Sequence, residues 1–277
     1  MTKKPHISYS ELKDWASCPH YHHLVHVQKL KAFEGNIFTA FGNALHDVCE
    51  NTLTKPQNFG NTEDIITFFK KKFVNEIKRL PTAEQQKAAK EDLMAWRQQG
   101  IDIIPEIYTA LSKKFGKMGT DWHVLTAEEQ LYEEIIETEH SDKKFKGFID
   151  LVVMAGNKIH LIDWKSCSWG WDARKKSDKY INYQLVFYKH FYARKHNIEL
   201  EDIECHFVLL KRTAKKSNKV EFVRVTAGKK RIENALNLLT KALYNIEKGK
   251  HIKNKLACDR CSIRFGKCPF KKTEHCR

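Results

Sequence analysis

An α/β protein is predicted on three observations. In the stretch 144–166, two runs rich in β-branched and aromatic residues flank Gly156-Asn157, the pattern of a β-hairpin with a two-residue turn. Apolar residues recur at helical spacing on both sides of it, over 38–53, 63–115, 178–196 and 230–248. Strand-like runs at 122–136, 203–210 and 220–225 supply further members for a sheet.

In chain order, Ser8 and Glu11 form a capping-box pattern that opens a short helix over 9–17, stopped by Cys18-Pro19. His20, His22, His23 and His26 follow at metal-like spacing. With no carboxylate near them in the sequence they read as solvated or packing histidines. Phe41, Leu45, Val48 and Leu53 mark the apolar side of the helix over 38–53, where His46 and Glu50 are neighbours four residues apart. A polar loop over 55–62 leads to a mostly helical region, broken at Leu80-Pro81 and interrupted at Gly100 and Pro105. Within it, Lys70 to Lys72 read as a solvated face or as the border of a nucleic-acid channel. The strand over 122–136 carries Glu128 and Glu129, and with the hairpin gives three successive antiparallel candidates. The loop after it holds Trp169, Trp171, Arg174, Lys175 and Lys176. Stacking aromatics among phosphate-pairing cations suit a single strand of nucleic acid, while tryptophans packed back on the sheet are the plainer alternative. On the helix over 178–196, Gln184 and Tyr188 are four apart and point the same way.

With 277 residues the chain can bury a substantial core. A formal charge of +15 points to a polyanionic partner bound in a salt-sensitive way. No stretch reaches the roughly 20 apolar residues of a membrane span. No apolar signal core follows Met-Thr-Lys-Lys-Pro-His, so a cytoplasmic protein without membrane attachment is expected. In that setting eight cysteines argue for metal or cluster ligation over disulfides. No internal repeat or low-complexity segment is present.

The hairpin carries the chemistry. A turn centred between Gly156 and Asn157 sets Asp150 opposite Asp163 on one face, with Lys165 two residues further along that face. Facing carboxylates repel unless a cation lies between them or one is protonated. Hard oxygen ligands suit Mg²⁺ or Mn²⁺, and a nearby lysine can orient a water and offset phosphate charge. Surface ion pairs on a solvated hairpin are the alternative. Against it, Phe148-Ile149 and Leu161-Ile162-Asp163-Trp164 are apolar on both faces, as in a buried strand.

Cys258-x2-Cys261-x6-Cys268-Pro269 is a compact thiolate set that needs a fourth ligand, with Cys18, Cys276, His275 and His251 as candidates. A zinc knuckle would use the tail alone, whereas a four-iron four-sulfur cluster could recruit Cys18 and join the two ends of the domain. Cys49, Cys167 and Cys205 lie in apolar or strand contexts and read as buried thiols.

Taken together, Gly42-x3-His46, Gly147-x2-Asp150, Asp163-x-Lys165 and Gln184-x3-Tyr188, in that order, resemble the RecB-like branch of the PD-(D/E)XK nuclease superfamily over nearly the whole chain. Cys18 with Cys258, Cys261 and Cys268 resembles its iron–sulfur subgroup, which includes the AddB C-terminal domain and CRISPR-associated RecB-like exonucleases; the last cysteine gap departs from a fixed pattern. The resemblance implies a restriction-endonuclease-like mixed sheet flanked by helices, as one nuclease domain over 1–277. Residues 60–118 would form a helical insertion, and 1–35 with 250–277 an iron–sulfur or zinc lobe. His46, Asp150, Asp163 and the Trp164 carbonyl would bind Mg²⁺ or Mn²⁺. Lys165 would position the attacking water, Gln184 and Tyr188 would orient the strand or the lysine, and Glu128 or Glu129 would assist through a water. Cleavage would leave a 5′-phosphate and a 3′-hydroxyl.

The function expected is a metal-dependent DNA nuclease, an exonuclease on single strands or ends, in recombination, repair or processing with a possible helicase partner. No Gly-x4-Gly-Lys-Ser/Thr stretch is present, and a stand-alone nuclease is expected. A nucleic-acid-binding module without catalysis and a zinc-ribbon assembly protein are the competing readings.

Overall fold

A run of helices precedes three successive strands, as the sequence predicts: β1 (His6–Ser8), α1 (Tyr9–Ser17), α2 (Pro19–His22), α3 (Ile37–Thr54), α4 (Thr62–Lys78), α5 (Thr82–Ala88), α6 (Leu93–Phe115), β2 (Trp122–Glu134), β3 (Lys144–Ala155), β4 (Lys158–Cys167), α7 (Ala173–Ser177), α8 (Lys179–His196), β5 (Ile203–Lys211), β6 (Val220–Val225) and α9 (Lys229–Glu247). The structure is a computed structural model in which residues 4–30, 34–258 and 268–276 are described. The strand path is β1-β3-β4-β5-β6, with β2 pairing β3 off that path. The sheet is mixed: β1 with β3 and β4 with β5 are parallel, β3 with β4 and β5 with β6 antiparallel. A parallel pair needs a crossover, and α7 and α8 supply it between β4 and β5. The chain divides into two units, one from Met1–Phe33, Leu131–Gly147 and Gly228–Arg277, the other from Glu34–Gln130 and Phe148–Ala227.

In the second unit, β4 and β5 are buried almost without a break because helices cover both faces. Phe41, Leu45, Phe69, Phe73, Ile103, Ile104 and Ile107 of α3, α4 and α6 form one core with Leu151, Val153, Ile162, Trp164, Val208 and Leu210. The odd-numbered side of β5 meets α8, where the Cys205 thiol reaches the Leu185 carbonyl at 3.6 Å. Cys49 and Cys205 are buried as expected, while Cys167 is half-buried. A capping box holds the start of α3: Asn36 Oδ1 accepts from the Phe38 and Thr39 N–H groups and Thr39 Oγ1 from the Asn36 N–H.

One expectation is corrected here. Gly100 and Pro105 do not interrupt the helical region, since α6 runs unbroken through both. Packing overrides the local preference, because Ile103, Ile104, Ile107 and Leu111 are all buried around the proline. Gly100 itself is required by contact: a Cβ there would lie 2.1 Å from the Phe69 ring, and Phe69 is fully buried. Gly100→Ala therefore destabilises the fold by about 1–3 kcal/mol, the range for overpacking, despite alanine's better helix propensity. Urea unfolding of the two proteins measures this; equal midpoints would contradict it.

In the first unit, β1 pairs with the opening residues of β3, His6↔Lys144 to Ser8↔Lys146. Ser8 Oγ caps α1 by accepting the Glu11 N–H at 3.2 Å. The reciprocal half of the predicted capping box is replaced, because the Glu11 carboxylate turns to Lys4 and His22. That also corrects the reading of the histidines as lacking carboxylates: α1 brings Glu11 to His22 at 3.0 Å and Asp14 to His26 at 2.8 Å. No helix among the described residues is long and apolar enough to cross a membrane.

Candidate active site

The hairpin pairs as the turn predicts. Gly156 has φ +58°, a conformation open to glycine. The ladder runs from Ala155↔Lys158 to Leu151↔Ile162. One further step sets Asp150 against Asp163, and there a side chain replaces the backbone bond: Asp150 Oδ2 accepts the Trp164 N–H at 2.7 Å. Asp163 is only 1% exposed. Its Oδ1 accepts from Gln184 Nε2 at 2.6 Å, and the Lys165 ammonium lies against its Oδ2. Gln184 Nε2 also donates to the Tyr188 hydroxyl at 3.2 Å, so the predicted pair on α8 acts on one carboxylate. The Lys165 Nζ sits 5.7 Å from the centre of the Phe207 ring.

Helix α3 delivers His46. The close approach depends on Gly42, where a Cβ would come within 2.9 Å of Ser166 Oγ on β4. His46 Nδ1 faces Asp150 Oδ2 at 3.5 Å, and its ring lies beside the Trp164 backbone. The four motifs read from sequence thus converge: His46, Asp150, Asp163, Trp164, Lys165, Gln184 and Tyr188 share one neighbourhood.

Its electrostatics follow from crowded carboxylates. Burial, with the Asp163 charge beside it, pushes the Asp150 carboxyl up to about 8. Burial also pushes Glu128 up to about 7, with Asp150 and Glu50 adding to the rise. His46 is held below its usual value by burial and by Lys165. Burial and the Asp163 charge push the Tyr188 phenol well up.

The structure separates Glu128 from Glu129. Glu128 senses Asp150, His46 and Asp163, whereas Glu129 turns to Lys195 at 2.6 Å and His196 at 3.1 Å. Glu128 has φ +51°, a left-handed value inside a strand, which redirects the chain at this point. Glu50 is an addition that the sequence reading did not place in the site. Its signal was present, four residues beyond His46 on the same helix surface.

Because the raised Asp150 pKa lies above its usual 3.8, the fold favours the protonated form. Below pH 3.8 the group costs nothing; as pH rises toward about 8 and beyond, the buried charge opposes folding. Asp150→Asn should therefore raise the Tm of metal-free protein at pH 8–9, by about 2–4 °C per kcal/mol relieved, and leave it nearly unchanged near pH 3.5. Melts at the two pH values check this, and a pH-independent difference would contradict it.

The loop after β4 divides. Trp169 is 76% exposed and Arg174 is exposed. Trp171 is buried against Phe207 at 5.1 Å, with Lys175 4.9 Å above its ring. Lys176 is paired to Glu221 at 2.5 Å.

Among the cysteines, Cys18, Cys258 and Cys268 line one cavity with Tyr21, Leu24 and Phe270. Cys18 Sγ accepts N–H groups from Tyr21 at 3.5 Å and Asn254 at 3.4 Å. The Cys268 N–H donates to the Cys258 carbonyl at 3.0 Å. Cys261 lies outside the described residues. Of the alternative fourth ligands, His251 stacks on His23 at 4.0 Å.

A mixed sheet flanked by helices, with facing aspartates and a lysine two residues on, describes a nuclease of the restriction-endonuclease-like type. The chain belongs to the PD-(D/E)XK nuclease superfamily, whose family model matches residues 6–277. Among solved structures it is similar to a "putative exonuclease" from Eubacterium rectale, with 13% identity and a TM-score of 0.54 over 93% of this chain and 87% of that one. It also matches SSO0001 at 11% identity, over 88% of this chain and 77% of that one, with a TM-score of 0.39. The first likeness supports the fold. No curated protein matches the chain by sequence.

Proposed function

We propose that the protein is a divalent-metal-dependent DNA nuclease that works on single strands or free ends. The observation that carries this is the Asp150–Asp163 pair, Asp163 buried and Asp150 partly so, with Lys165 and Gln184 held on Asp163. Two crowded carboxylates with one member driven toward its protonated form are a site that a cation would relieve.

The donor set fits Mg²⁺ or Mn²⁺, because carboxylate and carbonyl oxygens suit hard ions and Mn²⁺ also accepts an imidazole. His46, Asp150, Asp163 and the Trp164 carbonyl would hold it. When bound, such an ion neutralises charge on the scissile phosphate and acidifies a water. The remaining work falls to the protein. Gln184 fixes Asp163 by its short bond to Oδ1, and Tyr188 accepts the amide's second bond, so both are positioning residues. Lys165 places its ammonium at the edge of the pair, where it orients a water and offsets charge on a phosphate oxygen. Glu128, its carboxyl pushed up by burial and by the Asp150 and Glu50 charges, is suited to accept a proton through a water.

Exposed Trp169 and Arg174 offer a base-stacking surface and a phosphate partner beside the site's strand. The shared cavity of Cys18, Cys258 and Cys268 fits a thiolate-ligated group, and with Cys261 these residues would hold a four-iron four-sulfur cluster; zinc on the same ligands is the alternative. A role in recombination, repair or processing, alongside a partner that supplies strands or ends, is consistent with a basic chain of charge +15.

A substrate panel tests the reading: end-labelled single- and double-stranded DNA, each linear and circular, with Mg²⁺. Cleavage of linear single strands with circles spared is expected. Failure of the folded, cluster-loaded protein to cut any of them would favour a nucleic-acid-binding module.

A further inference from the structure

A second cluster of ligand-type side chains lies on β4 and β5, on the sheet face opposite the odd-numbered side that carries Asp163. The parallel register sets His160 beside Glu204, and His206, two residues on, shares the face of Glu204. His160 Nδ1, His206 Nε2 and Glu204 Oε2 converge, at 3.2 Å between the nitrogens, 3.5 Å from His206 to Glu204 and 3.9 Å from His160 to Glu204. Four-coordinate zinc with bonds near 2.0–2.2 Å spaces its ligands by about 3.3–3.5 Å. The triangle is close to that spacing with no ion in it.

We propose that His160, Glu204 and His206 form a binding site for a first-row divalent transition metal of the zinc class, which clips β4 to β5. Two imidazoles and a carboxylate are a zinc-type donor set and leave a fourth position for water. Both rings are buried, His160 7% and His206 1% exposed, so contact with water does not account for them. Without an ion the two nitrogens share a single hydrogen-bond proton, and among the described residues the carboxylate oxygen has no better partner than a ring 3.5 Å away. An ion satisfies all three at once. The surroundings are arranged for it: Arg224 Nη2 donates to Glu204 Oε1 at 2.9 Å, leaving Oε2 turned inward. The Phe115 ring lies 4.7 Å from His160 and the Phe222 ring 5.8 Å from His206, walling the cluster with apolar surface. The inference does not depend on the nuclease reading.

The test uses the full chain, equilibrated with zinc in excess Mg²⁺ so that the hard-ligand site is filled, then desalted. Zinc per chain and Tm are compared among wild type, Glu204→Gln and His160→Gln. Metal held by the cysteines counts equally in all three. Wild type should retain about one more zinc per chain than either variant, bind it at least about tenfold tighter, and gain Tm on zinc addition where the variants do not. Equal zinc content and equal thermal response in wild type and Glu204→Gln would overturn the site. Glu204 is partly exposed, so its variant keeps the question open to measurement if His160→Gln fails to fold.

Discussion

Asp163→Asn is expected to lower the cleavage rate by about a thousandfold or more while DNA binding holds or tightens. The substitution is nearly isosteric in a site where Asp163 is 1% exposed, so packing around it persists. What it removes is the charge. A neutral amide cannot pair with the Lys165 ammonium, and it is a weak ligand for a hard cation. Gln184 Nε2 now bonds Oδ1 at 2.6 Å and can keep that bond to the amide oxygen, leaving the variant's second position as an N–H₂ facing an ammonium. Loss of one negative charge also lessens repulsion of phosphate, hence the expectation for binding. Gel-shift affinities and single-turnover cleavage on the same preparations separate the two effects. Binding lost in parallel with cleavage would assign Asp163 a structural role.

Cys258→Ala is expected to cost stability more than chemistry, with a fall in Tm of about 10 °C or more if a cluster is lost. Cys18 follows α1, Cys258 and Cys268 belong to the chain after α9, and the three line one cavity. A group bound there would close a long loop within the first unit, and removing a ligand would release it. Among the described residues, Leu24, Phe270, Tyr21, Val25 and Leu30 pack with Cys18 and Cys268, a small core with little stability of its own. An unchanged melt would remove the stapling role. Anaerobic preparation gives an independent readout, because a brown, iron-containing protein that turns colourless in the variant supports the cluster, whereas a colourless zinc protein supports the alternative.

Much of the site was legible because it is local. Turn, period and pairing lie within 144–166, so counting from Gly156-Asn157 suffices to set Asp150 against Asp163. Gln184 and Tyr188 likewise need only the helical repeat. What escaped depends on contacts made at a distance or on a backbone turn that residue type does not encode. Period-two alternation cannot choose between Glu128 and Glu129, because the left-handed φ at Glu128 breaks the alternation there. The continuity of α6 through Gly100 and Pro105 rests on Phe69 and on buried isoleucines that no local rule sees. His160 meets Glu204 and His206 only through the parallel register of β4 and β5, which a crossover helix separates in sequence. The carboxylate partners of His22 and His26 come from α1, eleven and twelve residues back.

The most direct measurement of the central claim is cleavage of end-labelled DNA by wild type and Lys165→Ala, each with Mg²⁺, Mn²⁺ or EDTA. The lysine is partly exposed, so truncating it opens no cavity in the core, and a melt of each protein run beside the assay checks that the variant is folded. Metal-dependent cleavage by wild type, abolished by EDTA and reduced about a hundredfold or more in Lys165→Ala, is the predicted result. Cleavage that persists in EDTA, or that is equal in the two proteins, would contradict the assignment of this hairpin as the catalytic centre.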